Sequence, residues 1–178
     1  AIAGPYIEEE ALGQPPKYIR PKGKYNFTRV SFDETTPILR DLFYVAASGS
    51  LMPIDIFDHI GNLKEEFFIY FIDTEFCLRA RKHGFDITAV RDAKISHRFG
   101  QRSNHEFLGH KFSTTNHPPQ AREYMFRNRK KLWIKYFESD AGYVWFDILR
   151  AQSEVLRIIL FEKNKTEKLA AIMRGFLS

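Results

Sequence analysis

Apolar residues fall in short runs separated by polar, Pro- and Gly-marked stretches, and the spacing changes character along the chain. Ala1-Ile2-Ala3-Gly4-Pro5 is an apolar opening that reads as part of a strand. Residues 8–37 carry Gly13-Gln14-Pro15-Pro16, Pro21-Lys22-Gly23 and Thr35-Thr36-Pro37, which favours loops and short edge strands over a helix. The run at 42–52 (LFYVAASGSLM) predicts a buried strand, with Gly49 allowing a close approach of backbone or ligand. Pro53 followed by IDIFDHIG predicts a short helix ended by Gly61. A dense apolar, strand-like segment at 67–72 leads to Asp73, and residues 73–84 have the marks of a helix. Asp73 would cap it, Glu75 suits its first turn, basic residues fill its last turn and Gly84 stops it. Glu75 and Arg79 stand four apart in the order that favours an ion pair.

Two short strands are expected at 86–90 and 93–97, split by Arg91-Asp92. Residues 100–120 are polar and end in Pro118-Pro119, which predicts a long loop. From Ala121 onward apolar residues recur at helical spacing, over 121–138, 143–161 and 169–176. The pattern therefore predicts an α/β part over residues 1–117 and a helical part over 118–178.

Composition adds a charge split. Residues 1–75 hold 7 basic and 12 acidic side chains, and residues 76–178 hold 20 and 10. A half with net charge +10 suits an anionic partner or simply a solvated basic surface. The single cysteine, Cys77, cannot form an internal disulfide, which favours a reducing compartment. No apolar run approaches the roughly 20 residues that span a bilayer, and the first residues lack the charged-then-apolar pattern of a signal peptide, so none is expected. A soluble, cytoplasmic chain is expected, with the inner membrane face as a peripheral station. The absence of an initiator Met suggests a piece of something longer.

Several residues carry candidate chemistry. Asp73, between an apolar segment and a helix, is either a plain N-cap or a desolvated general base. His97, at a strand end beside a polar loop, is either a surface histidine or a metal ligand or proton shuttle. His97, His105, His110 and His117 are spaced wrongly for a zinc cluster, and no second cysteine helps. The stretch from Arg122 to Lys131 interleaves aromatics with bases. It reads either as an anion-binding face or as a solvated basic helix with its aromatics in the core. Phosphate-loop, nucleophile-elbow and HExxH patterns are missing, and so is an Asp-x-Asp pair.

Residues 42–138 resemble the second half of a family 2 glycosyltransferase domain of the GT-A fold, closest to bacterial rhamnosyltransferases. The blocks that carry the resemblance run in order: Ala47-Ser48-Gly49-Ser50-Leu51, Phe57-Asp58-His59-Ile60-Gly61, Phe67-Phe68-Ile69, Asp73-Thr74-Glu75-Phe76-Cys77-Leu78-Arg79, Gly84-Phe85 and His97-Arg98-Phe99-Gly100. Arg122-Glu123-Tyr124 with Arg127-Asn128 looks like the R-x-Y-x-x-R-N segment of rhamnosyltransferase-like members.

The resemblance implies a partial GT-A-type (Rossmann-like) α/β domain lacking its nucleotide-binding half, followed by an α-helical segment. It implies Asp73 as the base that deprotonates an acceptor hydroxyl in an inverting transfer, and His97 as a ligand of a divalent metal (Mg or Mn). Gly49 and Ser50 would line the substrate cleft, and Arg122 and Arg127 would face an anionic group or the acceptor. Glu75 and Arg79 are left as a structural pair. The implied partners are a nucleotide sugar donor, such as dTDP-rhamnose, a saccharide or lipid-linked acceptor and an anionic membrane surface, but not nucleic acid. The resemblance further implies that the chain starts inside the domain, so that this piece alone neither binds a nucleotide sugar well nor transfers sugar. The competing reading is a non-enzymatic module binding nucleic acid or an anionic membrane, which needs exposed aromatics on a basic face and has no use for Asp73.

Overall fold

A three-stranded mixed sheet anchors the first part of the chain. The computed structural model describes residues 1–8, 15–96, 103–107 and 109–178. Strand β1 (Ile2–Glu8) lies parallel to β5 (Ile87–Ser96), and β4 (Ile38–Leu39) pairs antiparallel on the far side of β5. The two strands expected around Arg91-Asp92 are one strand with a bulge. Pro5 pairs with Val90 and Tyr6 with Lys94, so Arg91, Asp92 and Ala93 have no partner across the ladder. Pro5 offers no N–H to that ladder, and the register breaks just after it.

The Pro- and Gly-marked stretch after β1 holds a short hairpin, β2 (Tyr18–Pro21) with β3 (Phe27–Val30). The expected strand at 42–52 is absent. Leu42, Phe43 and Val45 are buried, but the segment crosses between sheet and hairpin and is held by single bonds rather than a ladder. Leu42 N–H donates to Ile87 and Phe43 N–H donates to Ile19, both at 2.9 Å, and only Leu51 bridges to β1. The helix after Pro53 is α1 (Ile56–Ile60), with Gly61 just past its end at φ 76°. Part of the loop expected at 100–120 is a second hairpin, β6 (Ser103–Phe107) with β7 (His110–Thr114).

Helices α2 (Ile72–Lys82), α3 (Pro119–Tyr136), α4 (Ala141–Phe161) and α5 (Lys165–Leu177) follow the predicted periodicity. This mixed α/β topology is consistent with a Rossmann-like fold in general terms. One hydrophobic cluster joins Phe43, Phe67 and Leu78 to Leu132, Tyr136 and Tyr143, so α3 and α4 share a core with the strand-bearing part. Gly175 lets α5 lie against α3, because a Cβ there would collide with the backbone of Glu123. Among the described residues no helix is long and apolar enough to cross a membrane.

The expected Glu75–Arg79 pair is present, buried, at 2.9 Å. Arg79 also donates to the carbonyls of Gly61 and Asn62, while Lys135 Nζ (2.7 Å) and Tyr136 O–H (2.9 Å) donate to Glu75 Oε1. One carboxylate thereby links α2 to the end of α1 and to α3. Burial pushes the Glu75 carboxyl up, but hydrogen bonds and charge from Arg79 and Lys135 outweigh it and hold the group below its ordinary value.

Candidate active site

Residues 67–72 do not form the expected strand. A single 3-10 turn (Glu65–Phe67) is followed by Phe68, Tyr70 and Phe71, all with φ between 52° and 66°. Aromatic side chains rarely adopt that left-handed backbone, and they stay there only where surrounding bonds hold them. Asn128 supplies those bonds. It is fully buried on α3, and its Nδ2 lies 2.8 Å from the carbonyls of Phe67 and Ile69 and 3.0 Å from that of Tyr70.

This turn delivers Asp73. Phe71, not Asp73, occupies the cap position, so Asp73 sits one residue inside α2, in its first turn. Its Oδ1 accepts the Thr74 N–H at 2.8 Å and its Oδ2 accepts the Ala47 N–H at 3.4 Å. A carboxylate in the first turn is favoured by the helix's positive end.

Asp73 lines a cavity of about 600 Å³ whose walls include Tyr18, Tyr44, Tyr70 and Phe71, with Arg150 of α4 among its lining residues. Burial pushes the Tyr44 phenol above its ordinary value, so it stays a neutral O–H. Burial likewise pushes Tyr18 up to about 12, and its O–H donates to the Pro5 carbonyl at 3.0 Å. Cys77, one turn beyond Asp73, is buried with its thiol pushed up to about 12, which makes it a packing group rather than a nucleophile. The site thus combines aromatic surface with one carboxylate, the Arg150 guanidinium and the Lys17 side chain: a shape that holds a ring and can take a proton from it.

The other expected site residues lie elsewhere. Gly49 and Ser50 do not line the cavity. Ser50 N–H donates to Ala47 and its Oγ to Ala46, closing a turn in which Gly49 (φ 72°) packs near Pro5 and Ile95. Their effect on the site is indirect, since this turn presents the Ala47 N–H to Asp73. Arg127 stacks on the Tyr124 ring at 4.7 Å and reaches the Glu66 carbonyl, outside the cavity. Arg122 is 0% exposed, ion-paired to Glu154 and to Glu162 (2.8 Å), so its charge is already matched. Arg129 is equally buried, against Asp147 and Glu154. Of the basic strip read along α3, Arg122 and Arg129 are therefore interior, while Arg127, Lys130 and Lys131 stay partly exposed. His97 lies outside the described residues.

Arg150 and the aromatic walls were not singled out by the sequence. The apolar run beside Asp73 held Tyr70 and Phe71, but nothing local marks Arg150, which the fold brings from 77 positions away.

No protein-family model matches the chain, and no solved structure matches it. One curated relative does: the dTDP-rhamnosyl transferase RfbF of Shigella flexneri, 33% identical over 82 residues. The match covers 46% of this chain and 27% of that relative, so the chain spans little more than a quarter of the relative's length. The chain is thus distantly related to a glycosyltransferase. A nucleotide-sugar transferase relative raises the question of a metal. Among the described residues no three His, Cys, Asp or Glu side chains come together, and the cavity's carboxylate shares it with a guanidinium. These residues do not form a divalent-cation site.

Proposed function

We propose that this chain carries the acceptor side of an inverting glycosyltransferase, with L-rhamnose from dTDP-rhamnose as the donor sugar and a saccharide or lipid-linked acceptor. The observation that carries the reading is Asp73: a half-buried carboxylate in a helix's first turn, lining an aromatic-walled cavity, within the segment where glycosyltransferase-like blocks recur. The relation to a dTDP-rhamnosyl transferase supports the choice of chemistry.

A sugar hydroxyl is a weak nucleophile until its proton is removed. In this reading an acceptor ring packs on the Tyr44, Tyr70 and Phe71 walls and presents one hydroxyl to Asp73. The hydroxyl oxygen attacks the anomeric carbon as its proton passes to the carboxylate, and the bond to the nucleotide diphosphate breaks with inversion. The thymidine-diphosphate-binding part belongs to the rest of the enzyme, and His97 would complete a divalent-metal site with it. Arg150 provides positive charge beside the acceptor, the task expected of Arg122 and Arg127.

The test is Asp73→Asn in the full-length protein, assayed with dTDP-rhamnose and membrane-extracted acceptor. Turnover should fall by about 10²- to 10⁴-fold with acceptor binding unchanged. A variant that keeps wild-type turnover refutes the reading.

A further inference from the structure

Helix α4 turns a long apolar face to solvent. Trp145, Leu149, Leu156, Ile159 and Leu160 are each between 44% and 56% exposed, and steps of four, seven, then three and four residues put them on one stripe. The stripe runs about 22 Å along the helix. Phe137 extends it at the N-terminal end, its ring 6.4 Å from that of Trp145. The stripe is not needed for the core, which α4 serves from its opposite side through Val144, Ala151 and Ile158.

The charges beside the stripe identify its partner. Exposed Arg150 and Arg157 run along one flank, and exposed Lys163 and Lys165 follow at the C-terminal end. The carboxylates of α4 do not oppose them. Asp147 is buried, and Glu154 is turned inward onto Arg122 and Arg129, as Glu162 just beyond the helix is onto Arg122. A second copy laid antiparallel on the stripe would bring its own Arg150 and Arg157 edge against this one, with no acid to receive it. An anionic bilayer matches both features: acyl boundary for the Trp, Leu and Ile side chains, and headgroups for the Arg and Lys.

We infer that α4 is an interfacial anchor that lays this chain on an anionic membrane, stripe inward. Arg150 both flanks the stripe and lines the Asp73 cavity. Docking through α4 therefore sets the cavity beside the headgroups, where a lipid-linked acceptor presents its sugar. That last step rests on the glycosyltransferase reading; the anchoring does not.

The experiment is flotation of the chain with phosphatidylcholine vesicles, with and without phosphatidylglycerol. The wild type should float with the anionic vesicles, with the Trp145 emission shifted to the blue. L149E/L156E should lose at least about tenfold in binding, with unchanged circular dichroism and thermal midpoint. R157Q/K163Q should weaken binding to anionic vesicles only. The proposal is overturned if the wild type does not float, or if L149E/L156E floats equally well. It is also overturned if light scattering finds a dimer that L149E/L156E converts to monomers, which would assign the stripe to a second copy. Asp73→Asn should float like the wild type. Its loss of transfer tests only the catalytic reading, and lost flotation of L149E/L156E tests only the anchor.

Discussion

Helices α3 and α4 invert each other's expected faces. In α3 two of the three arginines point inward: Arg122 and Arg129 are among the largest fully buried side chains of the protein. In α4 five large apolar residues, Trp145, Leu149, Leu156, Ile159 and Leu160, point outward. A run of bases read along the chain suggests a surface, and a run of Leu and Ile suggests a core. Both impressions fail for one reason. What decides the burial of an arginine is whether carboxylates meet it, and here Glu154, Glu162 and Asp147 arrive from α4 and the residue after it. Having turned its acids inward to meet α3, α4 leaves its other side without acids, and that side carries the leucines.

The comparison breaks most readily at Arg122. Arg122→Ala would leave Glu154 and Glu162 facing the interior with less charge to meet them. The expected loss is about 3–5 kcal/mol of unfolding free energy, read by urea denaturation. Lys168, 2.8 Å from Glu162, offsets part of it. A loss below about 1 kcal/mol would mean that the two carboxylates are hydrated, and the contrast between the helices would lose its basis.

Asn128 sharpens the same point, since it too is a polar residue that α3 directs inward. Asn128→Ala removes the donors that face three carbonyls and releases a turn with three aromatic residues at positive φ. We expect about 2–3 kcal/mol of destabilisation by chemical denaturation. Hydrogen exchange should rise first around Tyr70 and Phe71. Uniform exchange across the chain would show that the turn is held by something other than Asn128.

Local pattern carried most of the elements and little of the site. The helices over 121–138, 143–161 and 169–176 were legible because apolar residues repeat at helical spacing, and the Glu75–Arg79 pair because four-residue spacing sets it. The strands expected at 42–52 and 67–72 were not. Their apolar content signals burial, but burial there is satisfied by crossing segments and a clamped turn. Asp73 was visible as a residue at a junction, though its place inside α2 depends on Phe71 adopting a left-handed backbone that Asn128 secures from 57 positions away. The cavity itself joins β2, the 44–46 segment, α2 and α4, and no window of sequence contains it.

The smallest expected effect separates the two faces of α4. Leu149→Gln and Leu156→Gln change side chains that are half in water, so each should alter stability by no more than about 0.5 kcal/mol. Ile158→Ala, fully buried on the same helix, opens a cavity and should destabilise markedly. Thermal and urea unfolding of the three variants measure the difference directly. If the two glutamine variants cost as much as the alanine, the stripe is already packed against protein in the folded chain. If they cost nothing, those leucines are retained for something outside the fold, and α4 is a helix whose sequence serves two solvents.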